Sequence, residues 1–227
     1  MNFKTKAMSK VIKFGEDVDG YEIPVLNERE IRAAAGILFV WAFLSVLMAI
    51  LKGSFVSLKY FILAFLVDFL IRVFINPKFS PTLIIGRLIV RRQTPEYVGA
   101  AQKKFAWVIG LILVLIMLVL VVFVNSYSAI TGMICLICLI FLLFESAFGI
   151  CLGCLFYGWF YGKKARYCPG EVCEIKYRHE IQKTSWNQIL VVFGFIAFIL
   201  VSVYLFKETF SEKPQDLFQI IESASSK

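Results

Sequence analysis

Long apolar runs broken by short polar stretches set the pattern of this chain. Five of them, residues 31–51, 54–75, 105–124, 128–161 and 188–206, are long enough to cross a hydrocarbon core about 30 Å thick, which takes roughly 20 helical residues. The expected fold is all-α, a polytopic bundle of five transmembrane helices. The fourth run cannot be one straight span, because its 34 residues rise about 51 Å at ~1.5 Å each. Gly149, Gly153, Gly158 and Gly162 lie in its second half, which places a bend, a break or an extension there.

The polar stretches divide the chain into an amino-terminal segment (residues 1–30), the bundle (31–206) and a carboxyl-terminal tail (207–227). No apolar run precedes Ala33, so the first span is expected to act as an uncleaved insertion signal. The patch "GEDVDGYEIPV" reads as a small hairpin forming a lid or arm. Asn27 and Glu30 then have the spacing of a capping box leading into the first helix. Between the second and third spans, "NPKFSPTLIIGRLIVRRQTP" reads as a short helix lying at the headgroups with its arginines reaching phosphate. The tail reads as a short amphipathic helix with a frayed end.

Composition agrees with this pattern. The chain is 59% hydrophobic with a mean hydropathy of +0.78, more apolar surface than a water-soluble domain of its size can hide. The lipid bilayer is therefore the first partner. A net charge of +8 raises nucleic acid as a ligand, but basic loops facing anionic lipid account for it, and no nucleic-acid partner is expected. Residues 1–32, 76–104 and 162–187 each hold six Lys or Arg, against two around the first turn, none in "NSYS" and three in the tail. Basic residues near span ends resist translocation. Five spans with the amino end inside and the carboxyl end outside satisfy every loop.

Three ionisable residues lie deep in apolar runs: Asp68 and Arg72 in the second, and Glu145 in the fourth. A lone charge in hydrocarbon costs several kcal/mol, so such groups face the bundle and pair. Asp68 and Arg72 are four apart, about 6 Å along one helical face. With Glu145 they are expected to share one polar layer of the inner leaflet. One reading is an ionic clamp in which two carboxylates share Arg72. The other is a proton or ion site, and a third leaves Arg72 simply snorkelling to the interface.

The six cysteines fall into three pairs. Cys135 and Cys138, in "GMICLICLIF", have no basic neighbour and read as packing residues. Cys151 and Cys154 stand a few residues before Lys163, Lys164 and Arg166. There Gly149 and Gly153 have the small-x-x-x-small spacing that lets another helix approach. Cys168 and Cys173 flank a Pro-Gly turn on the cytoplasmic side, where a permanent structural disulfide is not expected. Three readings of these last four cysteines stay open: a Zn ion held by Cys151, Cys154, Cys168 and Cys173, two redox pairs exchanging electrons or sulfur, or inert thiols. In the second, no cofactor is needed. The only histidine, His179, reads as a loop residue. No phosphate loop, H-E-x-x-H or G-x-S-x-G motif is present.

Two phrases carry a resemblance. "DFLIRVFINPKFSP" contains Arg72, Pro77 and Ser80-Pro81, and "FESAFGICLGC" contains Phe148, Gly149, Cys151, Gly153 and Cys154. Together they resemble an uncharacterised family of bacterial integral membrane proteins known as a domain of unknown function. Glu145 stands where that family often has Asn. The resemblance runs from about Asn27 to Gly162 and implies a bacterial inner-membrane protein with a four-span core. It also implies an association with thioredoxin-like and sulfur-transfer proteins. The fifth span and "YCPGEVC" look like an extension. The expected function is a thiol-disulfide or sulfur-relay component at the cytoplasmic face, and the alternative is a transport or scaffold subunit with structural Zn or inert cysteines.

Overall fold

A computed structural model describes residues 14–18, 20–161 and 185–216; Cys168, Cys173 and His179 lie outside the described residues. The chain is mostly helical. The elements are β1 (Val25–Asn27), α1 (Glu28–Lys52), α2 (Val56–Leu70, continued by a wider π turn, Ile71–Ile75), α3 (Pro81–Val90), β2 (Tyr97–Gly99), α4 (Ala100–Met117, continued as π over Leu118–Phe123), β3 (Ser126–Tyr127), α5 (Ala129–Leu143, with a π turn Phe144–Phe148), α6 (Leu152–Tyr161), α7 (Trp186–Ser211) and β4 (Gln215–Asp216).

Among the described residues, four helical stretches are long and apolar enough to cross a membrane: Glu28–Lys52, Ala100–Phe123, Ala129–Phe148 and Trp186–Ser211. The stretch from Val56 to Ile75 carries Lys59, Asp68 and Arg72, all buried. Its charges point into the bundle, which leaves its outward face apolar. Leu38, Phe65, Phe69, Trp107, Leu111 and Leu142 form the core between α1, α2, α4 and α5. Large apolar side chains such as Phe193, Leu200 and Leu205 on α7 face outward, a surface suited to lipid rather than water.

Local chemistry explains where the helices start and stop. The Asn27 side chain accepts from the Arg29 amide, and Glu28 and Glu30 place negative charge at the positive end of α1. At the other end Gly53 adopts the left-handed conformation, φ 62°, and its amide donates to Ala49 O at 3.0 Å. α2 ends at Asn76-Pro77, and Ser80 with Pro81 behind it opens α3. The long fourth apolar run breaks at Gly149, φ 67°, and restarts as α6. α7 begins with a reciprocal Ser185/Gln188 capping box.

The "GEDVDGYEIPV" patch is a hairpin. Glu16 and Val25 exchange both backbone hydrogen bonds at 3.0 and 2.9 Å, and β1 pairs antiparallel with β2, Val25 opposite Gly99 and Asn27 opposite Tyr97. Tyr21 and Tyr97 meet edge to face at 5.2 Å. The hairpin is tied to the loop after α2 by Lys78 and Glu16, 3.7 Å apart. Burial pushes the Tyr97 hydroxyl above its ordinary value, with Tyr21, Glu16 and Glu30 adding to the effect.

The short helix expected in the second inner loop is α3, and it packs on the bundle: a Cβ on Gly86 would stand 2.6 Å from Glu30 O, so its backbone crosses α1 in close contact. Arg87 accordingly points inward, and only Arg91 and Arg92 of that loop's arginines are exposed. α7 runs on to Ser211, past the expected end of the last span at Phe206, and β4 pairs parallel with β3; residues 217–227, most of the tail read as an amphipathic helix, lie outside the described residues.

Candidate functional site

Asp68 and Arg72 form one closed unit at the exit of α2. The Asp68 Oδ2 stands 2.8 Å from Arg72 Nη2. Its two oxygens also accept from Ser80 Oγ at 2.7 Å, the Thr82 amide at 3.0 Å and Thr82 Oγ1 at 2.8 Å. Arg72 Nε donates to Ser80 Oγ at 3.1 Å, and its guanidinium lies over the rings of Phe69 and Trp107. Asp68 is 0% and Arg72 2% exposed, so every strong acceptor of Asp68 is met inside the protein. The arginine thus ties α2 to the Ser80-Pro81-Thr82 entrance of α3.

Glu145 is held elsewhere. Its carboxylate takes a hydrogen bond and ion pair from Lys103 Nζ, at the start of α4. The same ammonium stands 2.7 Å from Glu28 Oε2, at the start of α1. Lys103 and Glu28 are almost wholly buried, whereas the Glu145 side chain is 15% exposed. Two carboxylates therefore share one cation, but it is Lys103 and not Arg72. Beside them Glu30 pairs with Arg87 at 3.0 Å and accepts from the Asn27 amide group at 3.0 Å. The predicted capping box is replaced by this network, since Glu30 turns to the Asn27 side chain instead of its backbone. Arg29 closes the layer with Nε 2.9 Å from Glu96 Oε1.

Sequence reading missed Glu28, and it counted Lys103 and Arg87 only as loop charges. A usable signal was there. Glu28 and Glu30 sit beside the first apolar run, and each needs a cation once the helix packs.

The Cys151–Cys154 pair follows the break at Gly149. Their sulfurs are bonded as a disulfide, with Cα atoms 5.1 Å apart. Cys151 occupies the position before the first turn of α6: its carbonyl accepts from Leu155 at 3.1 Å, and its Sγ accepts from the Cys154 amide at 3.2 Å. A sulfur there faces the positive end of the helix. Both cysteines are 3% exposed.

The two glycines do different work. A Cβ on Gly153 would stand 2.5 Å from Ala106 Cβ, so α6 packs directly against the backbone of α4. Gly149 instead supplies the left-handed break, and the Arg32 guanidinium fills the space a side chain would need, 3.0 Å from an added Cβ.

The pieces meet at one cavity of about 70 Å³, lined by Arg72, Trp107, Cys138, Glu145, Cys151 and Gly153 among others. Cys135 and Cys138 are unbridged and pack against the core from α5. Among the described residues, no group of three His, Cys, Asp or Glu side chains is placed to hold a metal ion. Cys168 and Cys173, the other half of the candidate Zn set, lie outside the described residues.

A mostly helical protein with membrane-length helices, a buried charge layer and a helix-start cysteine pair is thus defined. The model of the family described as Domain of unknown function (DUF4395) matches residues 26–161, and the chain belongs to that family. No curated protein and no solved structure matches it. The match covers α1 to α6 and stops before α7. That last helix is fastened to the family core at both ends: Gln188 Nε2 donates to Lys78 O at 3.0 Å, and Lys59 Nζ donates to Glu212 O at 3.1 Å.

Proposed function

We propose that this protein is a five-span, N-in/C-out component of a bacterial inner membrane whose Cys151–Cys154 pair exchanges disulfides with a thioredoxin-like or sulfur-transfer partner at the cytoplasmic face. The observation that carries this reading is the position of Cys151 Sγ at the start of α6, accepting from the Cys154 amide. In the oxidising direction the Cys151 thiolate attacks a partner disulfide and expels one partner sulfur as a thiolate. The Cys154 thiolate then attacks Cys151 in the mixed disulfide, releasing the second partner sulfur. The protein's dithiol loses two electrons and two protons, and the partner gains them. The orientation is supported by the three basic segments, residues 1–32, 76–104 and 162–187, which alternate along the chain with segments that hold few Lys or Arg. Both sulfurs are buried, so exchange needs the partner, or a shift of α6, to open the site.

The competing reading, a transport or scaffold subunit, draws on one observation, which favours the scaffold. Asp68 and Arg72 satisfy each other and the α3 entrance so fully that they make a structural clamp, with no site left for an ion. In this reading the inner cysteines are inert or hold Zn.

The deciding experiment equilibrates the purified protein in glutathione buffers of graded potential and follows the Cys151 and Cys154 peptides by alkylation and mass spectrometry, with metal analysis on the same sample. Cycling of the pair within the range of the cytoplasmic thiol pool supports exchange. A pair locked in one state across that range, or one Zn per chain with protected thiols, overturns it.

A further inference from the structure

We infer that the open apolar cavity between α1, α2, α4 and α5 is a binding site for an acyl chain of a membrane phospholipid, entering sideways from the bilayer. This inference rests on the membrane-spanning reading of the helices and not on thiol exchange. The cavity has a volume of about 360 Å³, within the range of roughly 300–1,000 Å³ typical of small-molecule sites. It lies where α1 turns into α2 and α4 into α5, at the end of the bundle away from the Lys103 charge layer.

The chemistry of the walls selects the occupant. Among the described residues, no Lys, Arg, His, Asp or Glu lines the cavity, so a charged ligand would lose its water there without replacement. Ser128 and Thr131 do line it, but they are spent on the start of α5: the Ser128 amide donates to Thr131 Oγ1 at 2.9 Å, and Thr131 Oγ1 donates to Ser128 O at 2.8 Å. Tyr127 stacks its ring on Phe55, 5.8 Å away. The unbridged Cys135 acts as a small apolar group. What remains is a surface for hydrocarbon.

Access and shape agree with this choice. Leu58, Met117 and Val121 are buried at the floor, whereas Ile50 on α1 and Leu136 on α5 line the cavity and are exposed. The mouth therefore opens outward between α1 and α5, two helices long and apolar enough to cross a membrane. Gly132 also lines it, with nothing within 4 Å of an added Cβ, so the wall is left unfilled there. From Ser128 to Leu139, the ends of the α5 wall, the helix rises about 16 Å. That is close to one leaflet, half of a hydrocarbon core about 30 Å thick. The space thus suits a single chain lying along α5. Left empty, its lining would lose the dispersion contacts that such a chain supplies.

The test reconstitutes the full-length protein in phosphatidylcholine vesicles that contain a small share of phosphatidylcholine with a diazirine at the end of one acyl chain. Adducts formed on illumination are mapped by peptide mass spectrometry. A chain seated in the cavity carries its end down to Cys135 and Leu139. The α5 peptide holding these residues should therefore take several-fold more label than residues 193–200 of α7, whose outward side chains report ordinary contact with lipid. Gly132→Leu should bring the α5 label down to the α7 level, while Gly132→Ala should keep most of it. Equal labelling of the two helices in the unmodified protein overturns the inference. So does less label on α5 than on α7, the result expected if a second copy fills the groove, and so does an excess that survives Gly132→Leu. Should Gly132→Leu not fold, Ala49→Leu narrows the same cavity from α1 and is read in the same way.

Discussion

Lys103, at the start of α4, stands 2.7 Å from the Glu28 carboxylate at the start of α1 and holds Glu145 with the same nitrogen. One side chain thereby fixes three segments, α1, α4 and the π turn after α5, next to the cysteine pair.

Removing that nitrogen leaves two carboxylates facing each other in a buried place. Lys103→Met should destabilise the protein by about 3–5 kcal/mol, the usual cost of orphaning a buried charge. Thermal unfolding in detergent checks it. Adding Glu28→Gln and Glu145→Gln to Lys103→Met should recover most of the loss, because no unpaired charge then remains.

Asp68 separates a clamp from an ion site. Asp68→Ala strands Arg72 at 2% exposure and should cost about 3–5 kcal/mol, whereas Asp68→Asn keeps a side chain able to bond Thr82 and should cost less. If Asp68→Asn instead left stability untouched and changed proton or cation flux in vesicles, the clamp reading would be wrong.

The glycines give a graded series. Gly153→Ala drives a methyl to 2.5 Å from Ala106 Cβ and should cost about 1–3 kcal/mol while shifting α6. Gly149→Ala, at φ 67°, should cost about 1–2 kcal/mol in backbone strain, with a further penalty from the Arg32 contact. Gly132, in α5, has nothing within 4 Å of an added Cβ. Gly132→Ala should therefore be neutral or slightly stabilising, by up to ~1 kcal/mol. Melting curves of the three variants should rank in that order.

Lys59 is the fastening of α7 at the end opposite Gln188. It is 1% exposed and donates to Asn125 Oδ1 at 2.7 Å as well as to Glu212 O. Lys59→Met leaves both acceptors unmet and should cost about 1–3 kcal/mol. Limited proteolysis should then cut near Glu212 faster, while the segment from Val25 to Cys154 stays protected. Equal protection of both regions would show that α7 does not depend on this contact.

Much of the architecture was legible along the chain. The apolar runs located the helices because a helix facing lipid must be apolar over its whole length. The four glycines of the fourth run announced a break in its second half without choosing Gly149 among them, and the Asp68/Arg72 spacing announced their pair, since both follow local rules of helix geometry. The hairpin before α1 was legible from its glycines, although its pairing with β2 joins residues 70 to 74 positions apart and has no local signature.

The chain's own pattern therefore determined the helical class, the presence of a break in the second half of the fourth run and the Asp68–Arg72 pair. Tertiary structure alone decided the partner of Glu145, the inward turn of Arg87, the different tasks of Gly149 and Gly153, and the cavity that Glu145 and Cys151 both line. The reason is physical. Helix periodicity and backbone sterics act over a few residues and are written in adjacent positions. A buried ion's choice of partner depends on which helices pack together, and Lys103 lies forty-two residues from Glu145.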